Sequence, residues 1–195
     1  MDKVIQFNSA FDAVRFALCY SMQQYGKSIM ARQVSPIGSG MGLVGLDGAG
    51  QAGMIRRQMW ALPELYLAVL VARAAPRDLP CDCGRPCCSK RKTNPEWKDA
   101  ITWLTDASAG YASGFSHYRV RRAIIERIFG IKNDLAEVTK NCDAHRNTVS
   151  NHNIAVRRWI LGDKKTDEPG VEQSAWLKIE QGLFDNGLLC VDRAA

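Results

Sequence analysis

The stretch Val138-Thr139-Lys140-Asn141-Cys142-Asp143-Ala144-His145-Arg146-Asn147-Thr148-Val149-Ser150-Asn151-His152 constrains this chain more than any other, because its spacing is that of a helix-turn-helix. In such a unit two short helices cross steeply, so apolar residues recur at fixed offsets while the start of the second helix stays polar. Val138, Cys142, Ala144 and Val149 occupy those offsets. The turn carries Asp143 where glycine is usual, and Thr139 stands where a small alanine is usual. Aspartate accepts left-handed backbone better than most residues. Alternatively, Asp143 caps the second helix, its carboxylate facing the helix dipole.

A plain helical hairpin would satisfy the apolar spacing, but it would not call for the polar run beside it. His145, Arg146, Asn147 and Thr148, continued by Ser150, Asn151 and His152, are side chains that donate to or accept from base edges in the major groove of double-stranded DNA. Charge points the same way. The chain of 195 residues has a formal charge of +6, and the segment from His117 to Lys165 holds eleven basic residues against five acidic ones, the whole of that excess. A basic surplus confined to the segment with the motif is the footprint of a polyanionic partner. Arg157 and Arg158, late in the second helix, are expected to clamp phosphates. Lys140 and Arg122 complete the expected DNA-binding set with His145, Arg146, Asn147, Thr148, Ser150 and Asn151.

The remaining sequence predicts an all-α chain. Residues 1–110 read as a helical domain with a cysteine-rich loop over 80–92, and residues 115–195 as the three-helix helix-turn-helix domain with a C-terminal helix. The small-residue run from Ser108 to Gly114 marks the boundary. Helices are expected from Ser9 to roughly Met30, Ala49 to Leu62, Pro63 to Ala75, Asn94 to Ala107, Tyr118 to Phe129, Asn133 to Cys142, Arg146 to Leu161 and Val171 to Asp185. Met54, Ile55, Met59 and Trp60 are expected to face one way in the second of these, and the third is apolar nearly all round, as a buried helix is. The glycine-rich run from Ser35 to Gly50 reads as a flexible loop. It contains Gly40-Met41-Gly42-Leu43-Val44-Gly45, but Ser35-Pro36 stands where a dinucleotide-binding strand would have to precede the glycines.

Cys81, Cys83, Cys87 and Cys88 lie within eight positions, between Gly and Pro residues that favour a loop. Thiolates at that density suit a tetrahedral zinc ion, which would fold a loop lacking a core of its own. The spacing C-x-C-x3-C-C differs from that of common zinc fingers. Three cysteines with water or His117, and thiols without metal, remain alternatives. Seven cysteines are an odd number, and no secretory signal precedes them, so the expectation is a cytoplasmic protein with reduced thiols and no membrane span.

With these residues in place, the chain resembles prophage-encoded late-gene regulators, in particular the Q-type transcription antiterminators. The likeness rests on a small all-α chain, on an arginine-bearing helical N-terminal half (Gln51-Ala52-Gly53-Met54-Ile55-Arg56-Arg57, then Leu62-Pro63-Glu64-Leu65-Tyr66), and on a helix-turn-helix ending in a basic helix. Some members of that group carry a cysteine cluster as a zinc site. The resemblance implies a protein of a bacterial host cell that binds a DNA element near a late promoter and transfers to paused RNA polymerase. The alternative is a protein-interaction module, an inhibitor of a host complex, that uses the helix-turn-helix as scaffold. Enzyme chemistry is not expected: the chain has no P-loop, no nucleophile elbow, no HExxH motif and only three histidines.

Overall fold

A computed structural model describes residues 7–25, 45–81, 83, 85–86, 89–111, 117–163 and 165–190. Among them are eight α-helices and two short antiparallel hairpins: α1 (Ala10–Tyr25), α2 (Gly45–Trp60), α3 (Glu64–Ala74), β1 (Asp78–Pro80), β2 (Arg91–Thr93), α4 (Pro95–Ala107), α5 (Tyr118–Ile128), α6 (Leu135–Asn141), α7 (Arg146–Leu161), β3 (Gly162–Asp163), β4 (Glu168–Pro169) and α8 (Val171–Asp185). The chain is mostly helical, as expected. The hairpins were not expected; each is too short to carry a periodic signal.

Local chemistry explains most of the helix ends. Ser9 caps α1, its hydroxyl accepting from the Asp12 amide at 3.1 Å and donating to the Asp12 carboxylate at 2.7 Å. Asn94 caps α4 by accepting from the Glu96 amide at 3.0 Å, and Pro95 fills the first helical position. At the end of α5, Gly130 adopts φ +93°, and the Gly130 and Ile131 amides donate back to the Arg127 and Glu126 carbonyls. That is the Schellman arrangement, in which a left-handed residue satisfies otherwise orphaned carbonyls. Gly187, at φ +67°, ends α8 in the same way.

Two expectations in the N-terminal half are corrected. The glycine-rich run was expected to be a loop as far as Gly50, yet α2 begins at Gly45. Its residues before Gly45, including Gly40 and Gly42, lie outside the described residues. Gly48 serves packing: a Cβ there would lie 2.7 Å from the buried Tyr20 ring, so only glycine lets α2 approach α1 this closely. The second correction concerns the apolar face of α2. Ile55 and Met59 are buried, but Met54 and Trp60 are exposed, Trp60 to 66%.

The core runs as one continuous cluster from Phe7 to Leu189, with buried residues on both sides of the expected boundary. Helix α3 sits at its centre, with Val69, Leu70 and Val71 buried against neighbours that include α1, α4 and α8. Helix α8 is the C-terminal helix expected as part of the second domain. It packs against α1, α2 and α3 as well as α7, through Ala175, Ile179 and Leu183. Arg73 fastens this junction: its guanidinium makes two bonds to Glu172 of α8, at 2.6 and 2.7 Å, donates to the Ile128 carbonyl at the end of α5, and lies over the Phe129 ring at 4.8 Å. Helix α3 is thereby tied to α8 and to the end of α5, both of which pack against α7.

Candidate nucleic-acid interface

Helix α6 starts at Asp134, whose carboxylate accepts from the Ala136 amide at 2.8 Å. It stops at Asn141 because Asp143 takes a left-handed conformation, φ +49°, while the Asp143 and Ala144 amides donate to the Lys140 and Thr139 carbonyls. Aspartate therefore fills the position where glycine is usual, and the alternative in which Asp143 caps the second helix is overturned. The cap of α7 is His145, whose Nδ1 accepts from the Asn147 amide at 3.3 Å. Thr139 is tolerated in place of alanine because its hydroxyl donates to the Leu135 carbonyl one turn back, so no polar group is stranded. Val149 is buried, and Val138, Cys142 and Ala144 are half-buried against the same core.

Helix α7 divides into faces. Val149, His152, Val156 and Ile160 point into the core. His152 was expected to extend the polar surface and is instead buried, 7% exposed. His145, Arg146, Asn147, Thr148, Ser150 and Asn151 are all exposed. Opposite the core, Asn147, Asn151, Ile154 and Arg158 follow one another at the spacing of a single helix stripe. Beside that stripe, Arg146, Ser150 and Asn153 border a cleft of about 530 Å³ whose other wall is Ala136, Thr139 and Lys140 of α6. Asn153 and Ile154 were missed by the sequence reading. Helical spacing alone would have found both: Asn153 lies three positions after Ser150, and Ile154 three after Asn151.

The expected phosphate contacts differ in availability. Arg157 and Lys140 are exposed and make no ion pair among the described residues. Arg158 is paired with Asp163, at the start of the β3–β4 hairpin. The Lys165 backbone N–H and then the Arg158 guanidinium hold the Asp163 carboxyl below its ordinary value. Arg122 is bound to Glu126 one turn along α5 at 2.9 Å, and that carboxylate raises its pKa further. Arg56, in the N-terminal half, makes two bonds to Glu96, at 2.8 and 3.3 Å.

The cysteine loop joins the two strands of the β1–β2 hairpin, and the Cys81 amide donates to the Lys90 carbonyl at 2.9 Å just beyond the last strand pair. Cys81 is half-buried and Cys83 exposed; Cys87 and Cys88 lie outside the described residues. Among the described residues no three His, Cys, Asp or Glu side chains gather around one point. The hairpin brings the two ends of the cysteine stretch together, which is the geometry a small metal-folded loop needs.

No helix among the described residues is long and apolar enough to cross a membrane. No protein-family model, curated protein or solved structure matches this chain, so what it does must be read from the faces of α6 and α7 themselves.

Proposed function

We propose that this chain is a phage-encoded, DNA-binding transcription regulator that presents the N-terminal half of α7 to the major groove. By resemblance, it is a late-gene antiterminator that binds a DNA element and then acts on RNA polymerase. The observation that carries this reading is the division of α7: an apolar face fixes it against the core, while Arg146, Asn147, Ser150 and Asn151 stand exposed, with half-buried Asn153 beside them, across a cleft from Lys140. Arginine and asparagine make bidentate pairs with guanine and adenine, and Ile154 offers an apolar surface to a thymine methyl group. Arg157 and Lys140 supply phosphate contacts that set register rather than sequence. The role is binding rather than catalysis, and a zinc ion held by the cysteine loop stabilises that loop.

A second reading, a protein-interaction module, draws on Ile154 and Leu161, which are 59% and 40% exposed on α7. Selection from a random pool of duplex DNA separates the two. The DNA reading expects enrichment of a short motif and an affinity that falls steeply with salt. No enrichment, together with salt-independent behaviour, would favour the interaction module.

A further inference from the structure

A cleft of about 400 Å³ opens among α1, α2, α3 and α4, away from the α6–α7 face. Leu67, Trp60 and Trp103 supply apolar and aromatic surface above the buried Met59, and Glu64 and Asp99 supply charge. Among the described residues one cation lines it, Arg56, and that guanidinium is already bound to Glu96. Glu64 and Asp99 are exposed and make no ion pair among the described residues, so the cleft is locally acidic in a chain of net charge +6. A tryptophan exposed to 66%, beside unneutralised carboxylates, is an unusual surface.

We propose that this cleft docks an amphipathic helix of a partner protein, one that carries an arginine or lysine among apolar side chains. The apolar side chains would cover Leu67 and the rims of the two indoles, while the cation would lie between the carboxylates of Glu64 and Asp99 and the indole faces of Trp60 and Trp103. A cation over an indole is favoured electrostatically, and the neighbouring carboxylates add to the attraction. A small organic cation fits less well, because sites for small ligands enclose most of their ligand, and here Trp60, Glu64 and Asp99 all stand open to solvent. A helix laid along the cleft would cover them, which is the helix-in-groove mode of recognition. The site shares no residue with the α7 surface and does not depend on DNA binding.

The full chain, labelled with nitrogen-15 at its tryptophan indoles, provides the test. The probe is a synthetic amphipathic helix of leucine, alanine and arginine; Trp60→Phe and Trp103→Phe assign the two signals. Titration should shift the Trp60 and Trp103 indole signals and leave Trp159 and Trp176 in place. A probe with glutamate for arginine should bind more than about tenfold more weakly, and Glu64→Gln with Asp99→Asn should weaken the arginine probe by roughly threefold to tenfold. Both carboxylates are exposed, so these variants should keep their fold and their DNA affinity. The proposal is overturned if the glutamate probe binds equally well, or if the indole signals do not move. It is also overturned if they shift with protein concentration alone, which would make a second copy of the chain the occupant.

Discussion

Arg157 and Arg158 are neighbours late in α7, and their sequence context treats them alike, but the structure separates them. Arg157 is exposed and without an ion pair among the described residues, whereas Arg158 is held by Asp163. A phosphate contact made by Arg157 releases a condensed counterion, so Arg157→Ala should flatten the slope of log affinity against log salt by about 0.9. Between roughly 50 and 200 mM salt that is a change of about threefold to fourfold in affinity for one contact. Arg158→Ala should change the slope by clearly less, because Arg158 would first have to leave Asp163. Asp163→Asn should act in the opposite direction, steepening the slope toward that of one more contact and tightening binding at low salt, because it frees Arg158 and removes a negative charge beside it. The assay is equilibrium binding to one duplex over a salt series, with a random duplex as comparison; both should respond equally, since phosphates carry no sequence. Equal effects of Arg157→Ala and Arg158→Ala would refute the claim that Asp163 restrains Arg158. An unchanged slope for Arg157→Ala would place that residue off the DNA.

Four further outcomes are expected. Arg146→Ala and Asn147→Ala should each cost about 1–3 kcal/mol on a selected site and little on random duplex, as measured by competition binding. In α2, Gly50→Ala and Gly53→Ala should each stabilise the fold by about 0.5–1 kcal/mol, since a Cβ there meets nothing within 4 Å. Gly48→Ala should instead destabilise it by about 1 kcal/mol, because crowding against Tyr20 outweighs the gain in helix propensity; chemical denaturation measures all three. Protein purified without chelator should carry zinc, with Cys81→Ser and Cys87→Ser far more damaging than Cys190→Ser; absence of metal by elemental analysis and mild effects throughout would remove zinc from the loop. The Asp163 carboxyl has a lowered folded-state pKa, so its contact with Arg158 should be intact above its ordinary value of 3.8 and lost as pH falls through the folded value, as carboxyl titration by NMR would show.

The pairing of α6 and α7 across a tight turn was legible in the sequence because its constraints are local. Val138, Cys142, Ala144 and Val149 report the crossing of α6 and α7, and Asp143 needs only its own backbone conformation to end α6. Helix ends at Ser9, Asn94 and Gly130 were readable for the same reason: each is decided by a side chain or a glycine within four residues of the end. What escaped depends on residues far apart in the chain. The glycine-rich start of α2 reads as a loop until Tyr20 is seen packed on Gly48. His152 looks polar and available, yet it lies on the face of α7 that is buried in the fold. Arg158 is the exception: its partner Asp163 is only five residues on, but the two-residue strand that places that carboxylate carries no periodic signal. Trp60 has the spacing of a core residue, but no element among those described covers it.

The segment after α8 returns to the very beginning of the described chain. The Phe7 amide donates to the Leu188 carbonyl, and the Cys190 amide to the Phe7 carbonyl, both at 2.9 Å, while the Phe7 side chain is 1% exposed. During synthesis, α1 therefore emerges long before the residues that seal it, and the parts of α1, α2 and α3 that α8 covers must wait until α8 leaves the ribosome. Contacts of such high sequence separation form late and slowly. Nascent chains stalled before Val171 should therefore recruit holdase chaperones. A circular permutant that joins the two ends through a short linker and opens elsewhere would make this closure local and should refold faster than the natural order.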